Sequence, residues 1–150
     1  MSFSGVFPVH NIDIEIETTG GASETYVTVA DMESMGLSIE TSVETWTPLN
    51  EGGWQRALAT AKSFVASFTG KRNIGDAGND YVASKAFANG RDCDSKLKLT
   101  FPDGSIFTAP VVLQVKDFMG GDATNVAPLA FDAISNGKPT FEPKIIFLGL

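Results

Sequence analysis

Residues 97–118 read LKLTFPDGSIFTAPVVLQVKDF, and this stretch decides the fold. Leu97, Leu99 and Phe101 alternate with Lys98 and Thr100, the period of a strand with one buried face. Pro102-Asp103-Gly104 follows. Proline presets φ and glycine tolerates positive φ, so the tripeptide predicts a tight turn. Ile106–Phe118, rich in β-branched residues around Pro110, is then the returning partner. Outward from this hairpin the same period recurs. In Ile12-Asp13-Ile14-Glu15-Ile16-Glu17 the isoleucines share one face and the three carboxylates the other, until Thr18-Thr19-Gly20-Gly21 breaks the strand. Tyr26–Val29, Leu37–Glu40 and Val126–Ile134 read as further strands, and Phe141–Leu148 is a last apolar segment.

One helix is expected, over about 77–89. Asp76 or Asn79 serves as N-cap, and Asn89-Gly90 offers a left-handed exit. Val82, Ala83, Ala86 and Phe87 form the packing face, which leaves Asn79 and Lys85 outward. The segment 54–61 reads two ways. Trp54, Leu58, Ala61 and Val65 lie at helical spacing, whereas Phe64, Ala66 and Phe68 alternate as in a strand. Propensity slightly favours helix for 54–61. No composition break or internal repeat divides the chain, so residues 1–150 read as a single mostly-β domain. It has an extended N-terminal lead-in over 1–11, a long inter-strand loop at about 41–53 and a C-terminal segment at 140–150.

Composition narrows the function classes. The chain has 150 residues, enough to bury a core, with one cysteine, Cys93, and one histidine, His10. An internal disulfide, a Cys-based zinc site and a CxxC redox pair are excluded. There is no GxSxG, HExxH, Walker A, or GxGxxG after a strand. Gly20-Gly21, Gly52-Gly53 and Gly120-Gly121 read as turn punctuation. Asp76 and Asp80 read as helix N-terminal charge, and Asp92 and Asp94 as turn chemistry that disfavours a Cys93 thiolate. No catalytic residue, metal ligand or cofactor is expected. The residues after Met1 lack a basic and apolar leader, so no signal peptide is expected, and no run is long enough to span a bilayer.

The charge is lopsided. Residues 1–60 hold nine acids and one base, Arg56, whereas residues 61–150 hold nine acids and ten bases, for a net of −7 overall. That balance argues against a broad basic grip on nucleic acid and suggests an acidic face.

A more specific signal is an ordered series of short motifs. Trp46-Thr47-Pro48-Leu49, Gly53-Trp54-Gln55-Arg56 and Thr60-Ala61-Lys62-Ser63 come first, then Gly70-Lys71-Arg72-Asn73 and Gly75-Asp76-Ala77-Gly78-Asn79-Asp80-Tyr81-Val82-Ala83. Phe101-Pro102-Asp103-Gly104, Gly120-Gly121-Asp122-Ala123, Val126-Ala127-Pro128-Leu129-Ala130-Phe131 and Gly137-Lys138-Pro139 follow. Together, over about residues 40–140, they resemble the major tail proteins, or tail tube proteins, of bacteriophages with long non-contractile tails. Ala59-Thr60-Ala61-Lys62 departs from that pattern, which has a glycine before the lysine. The resemblance implies a β-sandwich or barrel-like domain with one flanking helix, and an extended Trp54–Thr69 against the propensity count. It also implies hexameric rings stacked into a tube, a place in the virion tail after synthesis in the host cytoplasm, and no enzymatic activity or cofactor. The expected partners are other copies of the chain, tape measure, tail terminator and distal tail proteins, and double-stranded DNA passing through without specific binding. No membrane is involved.

Under that reading Val43, Trp46, Pro48, Leu49 and Trp54 belong to an inter-subunit or stacking loop, because exposed tryptophans suit a surface buried on assembly. Asp13, Glu15 and Glu17 are candidate lumen acids, a carboxylate row that would repel phosphate and leave DNA mobile. The competing reading is a monomeric β-sandwich binding or adhesion module with Trp46, Trp54 and Tyr26 as stacking surfaces.

Overall fold

The structure, a computed structural model, describes residues 4–19 and 24–143. The quoted hairpin forms as read: β5 spans Asp94–Thr100 and β6 Ile106–Phe118, paired antiparallel with Leu99 opposite Phe107. In the turn Gly104 has φ 88°, and its N–H donates to Phe101 O at 2.9 Å. Asp103 accepts from the Ser105 N–H and hydroxyl, which closes the turn locally.

Around this hairpin β1 (Asp13–Glu17), β2 (Tyr26–Thr28), β3 (Met32–Trp46), β4 (Arg56–Lys71), β7 (Pro128–Ser135) and β8 (Thr140–Glu142) complete one antiparallel sheet. The strand order is β2-β1-β5-β6-β7-β4-β3, with β8 also on β6. Alternation places Ile16, Phe64, Phe68, Leu97, Leu99, Leu129 and Phe131 on one face, all in one buried cluster. Phe68 stacks on Phe131 at 4.9 Å, and Phe64 meets Phe107 edge-on at 5.3 Å although β7 lies between their strands. Ile12 and Ile14 share a cleft with Met32 and Met35, so segments from opposite ends of the strand order come together. The sheet therefore curls around its own apolar face, the barrel-like architecture expected.

The helix, α1 (Ala77–Ala83), is shorter than the expected 77–89. Asp76 caps it by accepting from Asn79 N at 3.0 Å. Past Ala83 the chain turns, and residues 90–93 form a 3-10 turn. Of the expected packing face, Val82 and Ala83 are buried and Ala86 is half-buried, but Phe87 is 88% exposed. The helix ends after about two turns, so Phe87 leaves the helical spacing that would bring it onto the sheet. Asn79 is also the reverse of its expectation. It is fully buried, and its amide satisfies four backbone and side-chain groups. Lys85 is half-buried, its ammonium 4.9 Å from the centre of the Tyr81 ring.

One further expectation is corrected. The supposed loop 41–53 is strand up to Trp46, so only 47–55 connects β3 to β4. Residues 56–61 are extended, as the resemblance implies and against the propensity count, because β4 pairs with β3 from Arg56 to Gly70. Of the last apolar segment, Phe141 and Glu142 lie in β8, and residues 144–150 lie outside the described residues.

Candidate functional site

Strand β4 pairs with β7 only over Val65–Lys71, yet with β3 over Arg56–Gly70. Beyond Phe64 the β3–β4 hairpin therefore leaves the sheet as a two-stranded arm. Arg56–Ser63, eight residues at about 3.3 Å each, carries it roughly 26 Å past the body. A bulge sits midway. Ser42 pairs with Ala61 and Val43 with Ala59, and the skipped Thr60 donates its hydroxyl to Ser42 O at 3.3 Å. Such an extra residue bends a ribbon and increases its twist.

Paired residues share a face, so the arm's chemistry follows from the register. Ile39, Val43, Ala59 and Ala57 continue the core-facing side of the sheet, where Phe64 is the last buried residue. Glu40, Glu44, Leu58 and Trp46 lie on the other side, with Arg56 6.0 Å from the centre of the Trp46 ring. Leu49 and Trp54 crown the tip, Trp54 at 78% exposure. A ribbon of two strands cannot bury either face by itself, so these apolar side chains stand open to solvent.

The expected stacking residues thus come together, though not in one loop. Val43 and Trp46 belong to β3, while half-buried Pro48 and the exposed Leu49 and Trp54 belong to the connection. Ile39 and Leu58 join the same exposed apolar set without having been picked out. The signal was present: from Leu37 to Thr45, Leu, Ile, Thr, Val and Thr alternate with Ser, Glu, Ser and Glu.

The carboxylate row does not survive intact. Asp13 is exposed and Glu15 half-exposed on the outer face of the sheet, but Glu17 is fully buried. Its carboxylate accepts from the Thr19 N–H and hydroxyl, and its backbone carbonyl accepts from Ser95 Oγ at 2.8 Å. The strand ends there and the Thr18–Thr19 turn folds back over its outer face. Cross-strand neighbours also dilute the row, since Lys98 stands opposite Glu15 and Thr100 opposite Asp13.

Tyr26 does not form a platform with the tryptophans. It is half-buried on β2, at the far end of the strand order from β3, with Lys98 5.3 Å from its ring centre. Burial, then the charges of Glu24, Glu17 and Glu15, push its phenol above the ordinary value. Among the described residues no group of three or more His, Cys, Asp or Glu side chains could hold a metal ion, and no helix is long and apolar enough to cross a membrane.

A network of charge and amide groups fixes the end of the body opposite the arm tip. Arg72, mostly buried, donates to Asp80 at 2.7 Å and to Asn79 Oδ1 at 2.9 Å. Asp80 also accepts from the Gly75 N–H. The Arg72 hydrogen bond holds the Asp80 carboxyl below its ordinary range, aided by the Gly75 amide.

Solved structures share this fold at low sequence identity. The tail of an empty gene transfer agent particle, refined helically with C6 symmetry, aligns with a TM-score of 0.71 at 18% identity, over 91% of this chain and 98% of that one. The SPP1 tail tube aligns at 0.66 and 10% identity over 94% of this chain and 81% of that one. The extended sheath–tube complex of an extracellular contractile injection system, PVC, aligns at 0.60 and 10% identity over 93% of each chain. Among curated proteins none matches the chain in sequence. Residues 11–141 match the family described as phage tail tube protein, and the chain belongs to that family.

Proposed function

We propose that the chain is a non-enzymatic structural protein of a virion tail, assembled as rings of six that stack into a tube through which double-stranded DNA passes. The observation that carries this is the arm. It places Ile39, Val43, Trp46, Leu49, Trp54 and Leu58 in solvent on a ribbon with no second layer, an arrangement stable and soluble only when other copies cover it. Sixfold closure is taken from the C6 tail of the gene transfer agent particle, whose subunit shares the fold.

The charge fits a passive wall. Duplex DNA carries one negative charge per roughly 1.7 Å, so a basic lining would hold it through counterion release, whereas an acidic one repels it. With a net charge of −7, and with Asp13 and Glu15 on the outer face of β1 and Glu40 and Glu44 on β3, the chain has acids to spare for such a lining. Tape measure, tail terminator and distal tail proteins are the partners expected at the tube's interior and ends.

Negative-stain microscopy and native mass spectrometry of the concentrated protein test the reading. Hexameric rings or tubes support it. A chain that stays monomeric at every concentration overturns it.

A further inference from the structure

An unbounded stack needs two different surfaces, one at each end of the subunit, because a head-to-tail contact is heterologous. The arm is one of them. The register shows where the other must lie. Phe118 pairs with Leu129, and Leu129 with Gly70, so Phe118 is level with the open end of the long hairpin, opposite its tip. The hairpin's sixteen-residue strand β4 puts that level about 50 Å from the Trp54 tip.

At that far end the body is not sealed. Phe118 packs on the core with its inner side, and on it lies Phe87, edge-on at 5.7 Å between centroids and 88% exposed. Met119 follows, exposed and in the left-handed region at φ 57°, a conformation uncommon for a residue with a Cβ. Exposed Ile74 and Val126 flank the same end, where Arg72 N donates to Ala127 O.

We propose that the Phe87–Phe118–Met119 surface is the receptor for the arm of the next copy along the tube axis, with Trp54 and Leu49 seated on Phe87 and Met119. The proposal rests on the tube reading and names the axial contact within it. A second copy is the fitting occupant because a head-to-tail stack brings one end of each subunit against the opposite end of the next, and here those ends carry the exposed apolar arm tip and the exposed Phe87 and Met119.

Two variants test it. Phe87→Asp, at an exposed position where the fold loses no buried packing, should leave hexameric rings intact and abolish tubes. The double variant Trp54→Cys with Phe87→Cys, oxidised after assembly, should give a ladder of disulfide-linked multimers on a denaturing gel, which neither single variant gives. Normal tubes from Phe87→Asp, or no ladder from tubes of the double variant, overturn the axial receptor while leaving the tube reading standing. Loss of rings as well as tubes makes the surface a lateral contact and also overturns it. A parent chain that forms neither overturns the tube reading and the receptor with it.

Discussion

Asn79 Nδ2 donates to the carbonyl of Lys71 at 2.9 Å, tying a fully buried side chain of α1 to the last residue of β4. The same amide donates to Ala30 O at 3.0 Å and accepts from the Asn73 N–H and from Arg72. One side chain therefore joins the helix, the end of the long hairpin and the β2–β3 connection.

Asn79→Ala should be among the most destabilising single changes in the body. It takes the Nδ2 donor from the part-buried carbonyls of Ala30 and Lys71 and the acceptor from Arg72 and the Asn73 N–H, at a cost of about 2–4 kcal/mol. Urea unfolding followed by circular dichroism measures it, and a midpoint unchanged from the parent would contradict the assignment.

The glycines of the hairpin should respond in opposite ways. A Cβ at Gly70 would stand 2.2 Å from the carbonyl oxygen of Asp31 and 2.6 Å from Met32 Cα, both backbone atoms that cannot step aside. Gly70→Ala should cost at least about 2 kcal/mol. At Gly36 a Cβ meets nothing within 4 Å. Gly36→Ala should be neutral or stabilising by up to about 1 kcal/mol, through the lost freedom of the unfolded chain. Paired thermal melts separate the two cases.

Acid should loosen the Arg72 clamp. Because Asp80 sits below its ordinary value of 3.8, the folded state favours the carboxylate. Its contribution is complete above that ordinary value and is lost as the pH falls through the lower folded one. Parent and Asp80→Asn should differ in melting temperature at pH 6 and converge as the pH falls below the lowered folded-state value. A gap that persists unchanged in acid would show that the carboxylate charge plays no part.

Truncating Phe87 should barely touch stability. A buried phenylalanine costs about 3–5 kcal/mol when cut to alanine, but a ring this exposed, with one edge contact to Phe118, should cost below about 1 kcal/mol. A large drop in melting temperature would place the ring in the core after all.

Replacing Thr47–Gln55 with Asn-Gly should remove Leu49 and Trp54 and close β3 on β4 with a two-residue turn. The body should melt within a few degrees of the parent, since among the residues removed none is buried, and tubes should no longer form. Tubes seen by microscopy in the shortened variant would dissociate the arm tip from assembly.

Read alone, the sequence determined the elements whose signal is local. Alternation from Leu97 to Phe101, the Pro102-Asp103-Gly104 turn and the β-branched return identified a hairpin with its inward face correct, because strand period and turn chemistry depend on neighbours in the chain. The same period in Leu37–Thr45 contained the arm, although the prolines and glycines around it suggested a loop. What tertiary structure alone decided was which faces are covered. Alternation assigns side chains to two faces but does not say what lies over either. Glu17 is buried because a turn folds over it, Asn79 because its partners include Ala30, 49 residues away, and Phe87 is exposed because the helix stops one turn short. Burial is a relation between segments distant along the chain, and only the folded sheet brings those segments together.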